Sequence, residues 1–361
     1  MSRLELPINQ ILQGDCVDLL ATLPEASVDM IFADPPYNLQ LRQELWRPNR
    51  TRVDAVNDTW DQFANTEQYD EFSRQWLTAC RRVLKDTGTM WVIGSYHNIY
   101  RLGAILQDLD FWILNDVVWI KTNPMPNFRG VRFTNAHETL LWAVKNRQSR
   151  YTFNHKAMKM FNDGKQMRSD WVLPICNGGE RLKIDGKKAH STQKPLALLY
   201  RVLLSATLPD DVVLDPFFGT GTTGVAAKLL HRRWIGIERE PEYVQLSRAR
   251  IEQTRVEEYQ PEVFEVRSKR RTARRVAFSR LLETGLLRPG QPLYFQKDLA
   301  KTARVKPDGI LRMGEVEGSI HQLARQLTNG APSNGWDLWF YKDEQGALQV
   351  IDELRQIIRQ R

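Results

Sequence analysis

VVLDPFFGTGTTGVAAKLL, residues 212–230, reads as a strand, a tight turn and a helix in immediate succession. The run VVL is short and wholly apolar, as in a strand covered on both faces. Asp215 and Pro216 end it, because proline cannot donate to a sheet ladder. Gly219 and Gly221 allow the chain to turn tightly and a ligand to approach the backbone, with a helix starting at Thr222 or Thr223. The next apolar run, RWIGIE at 233–238, ends on Glu238. Nucleoside-binding α/β folds place a carboxylate there to hold ribose hydroxyls. The alternative is a purely structural glycine turn.

A second stretch, DMIFADPPYNLQL at 29–41, repeats the logic. MIFA is a buried strand, Asp34 closes it, and Pro35 and Pro36 stiffen the loop that follows. In open α/β sheets the carboxyl ends of strands are where ligands bind.

Around these two stretches the chain alternates. NQILQG, CVDLLATLP and VDMIFAD read strand, helix, strand. TEQYDEFSRQWLTACRRVL has helical spacing, with Tyr69, Phe72, Trp76 and Leu77 on one face and Thr66 as N-cap. GTMWVIGS, FWILNDVVWIK and ETLLWAVKN read as strands, and NIYRLGAILQDL and PLALLYRVLLSAT as helices. A last helix runs from Pro241 to about Arg255. Such alternation predicts an α/β fold with a mostly parallel sheet covered on both faces. Residues 147–190 are polar and basic and read as an insertion. The composition shifts after Glu258, and RSKRRTARR at 267–275 is a basic run. The predicted organisation is a catalytic domain over 1–258, a basic linker over 259–275 and a small α+β domain over 276–361. In the last, helices are expected around FSRLLETGLL, from Ser319 and over GALQVIDELRQIIRQR, and strands at PLYFQ, GILRM and WDLWFY.

The chain has 361 residues and a formal charge of +8, which favours polyanionic partners through counterion release. No apolar run is long enough to span a membrane, and the N-terminus lacks the apolar core of a signal peptide. Cys16, Cys80 and Cys176 lie far apart without metal-ligand spacing, so reduced thiols and no metal site are expected.

DPPY, HSTQKP at 190–195 and DPFFGTGTT, in that order, resemble the β-class DNA adenine-N6 methyltransferases. With GDCVDLLATLP and the basic C-terminal extension, the chain is similar to the cell-cycle-regulated adenine methyltransferases that act at GANTC. The resemblance covers about residues 9–255 and implies a Rossmann-like, S-adenosylmethionine-dependent methyltransferase fold. It also implies a double-stranded DNA substrate with base flipping, a homodimer, and a cytoplasmic, nucleoid-associated enzyme acting in cell-cycle control of replication or transcription. Cytosine-N4 enzymes more often carry Ser at the position of Asp34. Glutamine methyltransferases have NPPY with the cofactor motif first, and RNA enzymes of the DPPW type differ at Tyr37. A DNA-binding regulator on an inactive fold would not need Asp34, Tyr37, Gly219, Gly221 and Glu238 together. A fused endonuclease would need an acidic cluster that the C-terminal residues lack.

Chemistry explains DPPY. The adenine N6 lone pair is delocalised into the ring and is a poor nucleophile. Asp34 accepts one N6 hydrogen, the Pro35 carbonyl accepts the other, Pro36 keeps the loop rigid, and Tyr37 offers a stacking face. The resemblance puts the cofactor against Asp15 and Cys16, against Thr192, Gln193 and Lys194 beside its methionine part, and against Asp215, Phe217, Phe218, Gly219, Gly221, Thr222, Thr223 and Glu238. Asp15 reads equally as a helix cap, and one of Phe217 and Phe218 as core. Candidate DNA contacts are Arg42, Trp46 and Arg47 in the polar segment 39–62, Lys121, Arg129 and Arg132, and Ser319, Asn334 and Trp336 at the C-terminus. For Trp336 and Asn334 a core residue and a turn residue are the alternatives.

Overall fold

The structure, a computed structural model, describes residues 5–38, 61–127, 130–184, 187–189, 192–264, 276–331 and 333–360. It divides into two compact units, 1–268 and 269–361. In chain order the first contains β1 (Gln10–Gln13), α1 (Cys16–Thr22), β2 (Val28–Ala33), α2 (Thr66–Val83), β3 (Leu84–Gly94), α3 (Ile99–Asp108), β4 (Trp112–Lys121) and β5 (His137–Val144). There follow α4 (His155–Met160), β6 (Asp170–Leu173), a short hairpin of β7 (Lys183–Ile184) and β8 (Lys187–Lys188), α5 (Leu196–Ala206), β9 (Val212–Asp215), α6 (Thr222–Leu229), β10 (Arg233–Glu238), α7 (Pro241–Gln253) and α8 (Pro261–Phe264).

The main sheet has the order β1-β10-β9-β2-β3-β5-β4-β6. β1, β10, β9, β2 and β3 run parallel. β5 is antiparallel to both its neighbours, and β6 joins β4 in parallel. Two features of this order build the site. β2 and β9 are neighbours, yet the chain leaves β2 towards β3 and leaves β9 towards β10, so a crevice opens between their carboxyl ends. The reversal of β5 brings its first residues, rather than its last, to that same end of the sheet, where His137 pairs with Ile120 and Thr139 with Gly94.

Side chains alternate along β2 as a doubly covered strand requires. Met30 and Phe32 join the cluster that holds Met158 of α4, Leu199 of α5 and Val225 of α6. Ile31 and Ala33 join the cluster of Leu20, Trp76 and Leu102 from α1, α2 and α3. Full burial of each large apolar side chain contributes roughly 1.5–3 kcal/mol. The cap of α2 is Asn65, whose side chain accepts from Gln68 N at 2.8 Å, one residue before the expected Thr66.

Residues 147–190 are less separate than their composition suggests. β6 extends the sheet, and Met158 and Trp171 lie in the core. Exposed Lys156, Lys165 and Arg168 dilute the apolar pattern of these short elements and hide it from the sequence. The catalytic unit also continues past residue 258, since His231 packs against the rings of Tyr259 at 5.3 Å and Phe264 at 4.3 Å. The basic run 267–275 lies outside the described residues.

The second unit contains α9 (Ser279–Glu283), β11 (Pro292–Phe295), β12 (Asp298–Val305), β13 (Leu311–Met313), β14 (Val316–Gly318), α10 (Ile320–Leu327), α11 (Gly335–Leu338), β15 (Trp339–Lys342), β16 (Leu348–Val350) and α12 (Ile351–Gln360). Its strands form an antiparallel sheet in the order β14-β13-β12-β11-β15-β16 around Leu293, Phe295, Leu323, Trp339 and Leu354. The stretch read as one strand, WDLWFY, is split between α11 and β15. The stretch read as one helix, GALQVIDELRQIIRQR, begins with β16. β12 escapes the pattern because DLAKTARV exposes half of its residues and buries only Ala303 and Val305.

Candidate active site

Asp34 leaves β2 into the crevice, and the next residues are pinned from beneath. The Pro36 carbonyl accepts from the Tyr69 hydroxyl at 2.9 Å and the Asn98 amide at 3.4 Å, and Asn98 also donates to Tyr69 at 3.1 Å. Asn38 N donates to Asp61 Oδ1 at 2.7 Å. The prolines restrict the loop and these bonds select its one position, so the backbone around Asp34 and the Pro35 carbonyl is preorganised.

Four charged groups converge there, Lys194 buried and the other three partly buried. Lys194 Nζ donates to Asp34 Oδ2 at 2.6 Å and lies 3.8 Å from Glu138 Oε2. Lys121 Nζ donates to Glu138 Oε1 at 2.7 Å, and the Tyr37 hydroxyl donates to Glu138 Oε2 at 3.0 Å. Lys194 also lies over the Tyr37 ring, 5.1 Å from its centroid. Asp34 Oδ1 is buried and has no hydrogen-bond partner among the described residues. Burial raises the Asp34 carboxyl above its usual range, with Lys194 opposing. Burial also pushes Glu138 upward, but Lys194 and Lys121 together hold it below its usual value. Burial would depress Lys194, yet Asp34 and Glu138 outweigh it and keep the ammonium charged. The two acids differ because one has two ammonium partners and the other has one and a dry, unpartnered oxygen.

A cavity of about 310 Å³ joins Asp34 to the β9–α6 turn, lined by Asp34, Asp15, Phe217, Gly219, Thr220 and Glu238 among others. Gly219 and Gly221 hold φ of 51° and 73°, which favour glycine. A Cβ on Gly221 would lie 2.8 Å from that of Ser247, so this glycine serves the packing of α6 on α7 rather than ligand approach alone. Glu238 Oε2 accepts from Gly219 N at 2.7 Å and Oε1 from Glu240 N at 2.9 Å, which aims the carboxylate along the cavity floor. Asp215 accepts from Phe217 N at 3.0 Å and the Thr223 hydroxyl at 2.6 Å, and burial raises it to about 7. Thr222 accepts from Arg250 at 2.8 Å. These three residues brace the turn. Phe218 stacks on Trp234 at 5.4 Å within the core and Phe217 packs edge-on to Trp76 at 5.2 Å, and both border the cavity. Asp15 caps α1 through Val17 N at 2.8 Å while also lining the cavity. Cys16 is a buried thiol pushed up to about 12 by burial. A cavity of this size, with glycine backbone on one side and a fixed carboxylate on another, fits a nucleoside whose ribose faces Glu238.

Several expected assignments are corrected. Gln193 lines the cavity and is anchored there, its amide nitrogen donating to Glu180 O at 2.9 Å and its oxygen accepting from Leu182 N at 3.0 Å. Lys194 points to Asp34 rather than to a cofactor carboxylate, while Thr192 borders the cavity. Lys121 is a partly buried ion-pair member, not an exposed cation. Arg132 is exposed beside His97, whose imidazole it helps hold below its usual value after burial. In the second unit, Ser319 closes a capping box with Gln322 at the start of α10. Asn334 donates to Asp337 Oδ2 at 2.6 Å, and Trp336 is buried under Arg355 at 4.5 Å, so it is a core residue and not an open stacking face. Arg42, Trp46, Arg47, Arg129 and His190 lie outside the described residues. Glu138 was not foreseen. Its only sequence signal is an acid at the start of an apolar strand, and its place depends on the reversal of β5.

The comparisons agree with this geometry. A DNA methylase family pattern matches residues 28–249, and a pattern described as Restriction Enzyme Adenine Methylase Associated matches residues 261–361. The chain is 48% identical over 349 residues, 96% of both sequences, to the type II methyltransferase M.HinfI of Haemophilus influenzae. Its fold superposes on the crystal structure of an M1.HpyAVI–SAM complex with a TM-score of 0.50 at 29% identity, covering 67% of this chain and 98% of that one. The PvuII cytosine-N4-specific DNA methyltransferase shares the fold, with a TM-score of 0.52 at 21% identity over 67% of this chain and 85% of that one. The chain therefore belongs to the N6/N4 DNA methylase family and is an S-adenosylmethionine-dependent DNA methyltransferase.

Proposed function

We propose that the enzyme methylates N6 of an adenine swung out of duplex DNA, at GANTC sites, with Asp34, the Pro35 carbonyl and Tyr37 as the groups that touch the base. The observation that carries this is Asp34 Oδ1, a buried acceptor without a partner at the mouth of the cavity between β2 and β9. An orphaned buried acceptor is costly unless a ligand completes it. S-adenosylmethionine, when bound, supplies an electrophilic methyl group on a sulfonium sulfur. Glu238 holds the ribose, and the β9–α6 turn carries the adenosine. Asp34 accepts one N6 hydrogen and the Pro35 carbonyl the other, which localises the lone pair towards the methyl group. Asp34 would then take the N6 proton released as the amine is methylated. Tyr37 supports the extruded ring, since N6 cannot be reached productively inside a duplex.

GANTC, a homodimer, a cytoplasmic nucleoid-associated location and a cell-cycle role rest on the resemblance of the motifs and of the C-terminal extension. A second cellular reading, protection of DNA against a companion endonuclease, is favoured by the end-to-end likeness to a type II methyltransferase. Mapping N6-methyladenine in DNA from cells that express the protein tests the site. Methylation at every GANTC supports it, and methylation at another motif removes it. Following the marks through a synchronised cell cycle separates the two roles: timed methylation supports the first, constant methylation the second.

A further inference from the structure

Lys194 stands where the substrate must go. Its ammonium holds Asp34 Oδ2 at 2.6 Å and covers the Tyr37 ring, the two groups that would receive adenine. A cation left there would weaken Asp34 as an acceptor and would oppose the positive charge that grows on N6. Yet it cannot simply be expelled to water, because it is buried and its own charge needs an anion. Glu138 supplies one. Its Oε2 lies 3.8 Å from the same Nζ, about 0.6 Å beyond hydrogen-bond reach. β5 fixes it there, Lys121 holds its other oxygen at 2.7 Å, and the Tyr37 hydroxyl already donates to it at 3.0 Å.

We propose that Glu138 is a positioning residue for methyl transfer, which takes Lys194 over from Asp34 when the adenine amine arrives and so frees the carboxylate for N6. In the resting state Lys194 pairs with Asp34. On substrate entry the N6 hydrogens replace it, and the ammonium turns to Glu138 without leaving the cluster. The sum of buried charge is unchanged by the move, with Asp34 and Glu138 balanced by Lys121 and Lys194. Through its bond to the Tyr37 hydroxyl, Glu138 also fixes the ring on which the base rests.

This inference rests on the adenine-N6 reading, and the two fail differently. If that reading fails, the wild-type enzyme does not methylate N6. If this one fails, the wild type is active and only the variants below disagree. Glu138→Gln keeps the shape and an acceptor for Tyr37 but removes the charge that draws Lys194. Glu138→Asp keeps the charge. Single-turnover methyl transfer to duplex DNA should fall at least about tenfold in Glu138→Gln, with cofactor Kd by calorimetry and KM for DNA within about twofold of wild type. Fluorescence of 2-aminopurine at the target position should still report an extruded base. Glu138→Asp should be faster than Glu138→Gln. The reverse order, or an undiminished Glu138→Gln, overturns the proposal, because a merely structural role favours the isosteric amide. A structure of the wild-type chain with S-adenosylhomocysteine and target duplex decides the matter without any variant. Lys194 is expected within hydrogen-bond distance of Glu138 and away from Asp34 Oδ2, and a complex in which Lys194 still holds Asp34 overturns it.

Discussion

Tyr37 and Trp336 are both aromatic residues beside a polar turn, and both are nearly buried, at 8% and 5% exposure. Their surroundings differ in kind. Tyr37 lies in a wall of charges, with Glu138 on its hydroxyl, Lys194 over its face and an unpartnered carboxylate oxygen nearby. Around Trp336 the hydrogen bonds tie one structural element to another. Gly335 N donates to His321 Nδ1 at 3.0 Å, Trp339 Nε1 to Ile320 O at 3.0 Å and Asn334 to Asp337. A Cβ on Gly335 would run into the Ile320 carbonyl, so the glycine exists for the contact of α11 with α10. Burial alone therefore does not separate a site from a core. The kind of neighbour does: four charged groups and a cavity converge beside Tyr37, whereas the bonds around Trp336 tie α10 to α11.

The largest effect should break the comparison if it is wrong. Trp336→Ala should cost the second unit about 3–5 kcal/mol of stability in denaturant titration, as for other buried indoles. Weakened DNA binding at unchanged stability would return Trp336 to the DNA interface. Next in size, Asp34→Ala should lower single-turnover methyl transfer at least about 100-fold, the scale of one preorganised acceptor, while calorimetric cofactor affinity stays near wild type.

A smaller effect concerns pH. Asp215 is raised from 3.8 to about 7, first by burial, so it favours the folded state in acid. That contribution is complete below the unfolded value and is lost as pH rises through about 7. The melting temperature of the wild type should decline over this window, and Asp215→Asn should remove part of the decline. An identical slope in both proteins would mean that Asp215 is not the buried acid described here. Smallest of all, Tyr37→Phe should reduce turnover only modestly compared with Tyr37→Ala, because the ring supports the base and the hydroxyl only ties it to Glu138. Equal losses in steady-state kinetics would assign the role to the hydroxyl.

Much of the fold was legible because its signals are local. Apolar runs closed by DPPY and DPFFG mark β2 and β9, and the glycines and Glu238 mark one ligand wall. The parts that were not legible depend on partners far apart in the chain. The reversal of β5 carries no mark in ETLLWAVKN, yet it alone delivers Glu138. Lys194 reads as a cofactor donor because the resemblance of HSTQKP puts it beside the methionine part, while its partner Asp34 lies 160 residues away. Ser319 and Asn334 read as DNA contacts, but short polar side chains serve helix starts as readily: Ser319 caps α10, and Asn334 precedes α11 and donates to Asp337. Trp336 shows the same ambiguity, since an indole suits a core as well as a base.

The central claim is that the ends of β2 and β9 form one site that methylates adenine through Asp34. Its most direct test is a single-turnover reaction of the full chain with methyl-tritiated S-adenosylmethionine and a duplex containing GANTC, followed by nucleoside analysis. The account predicts tritium in N6-methyladenine for the wild type and none above background for Asp34→Ala bound to the same cofactor. Tritium in N4-methylcytosine, or equal labelling by Asp34→Ala, would contradict it.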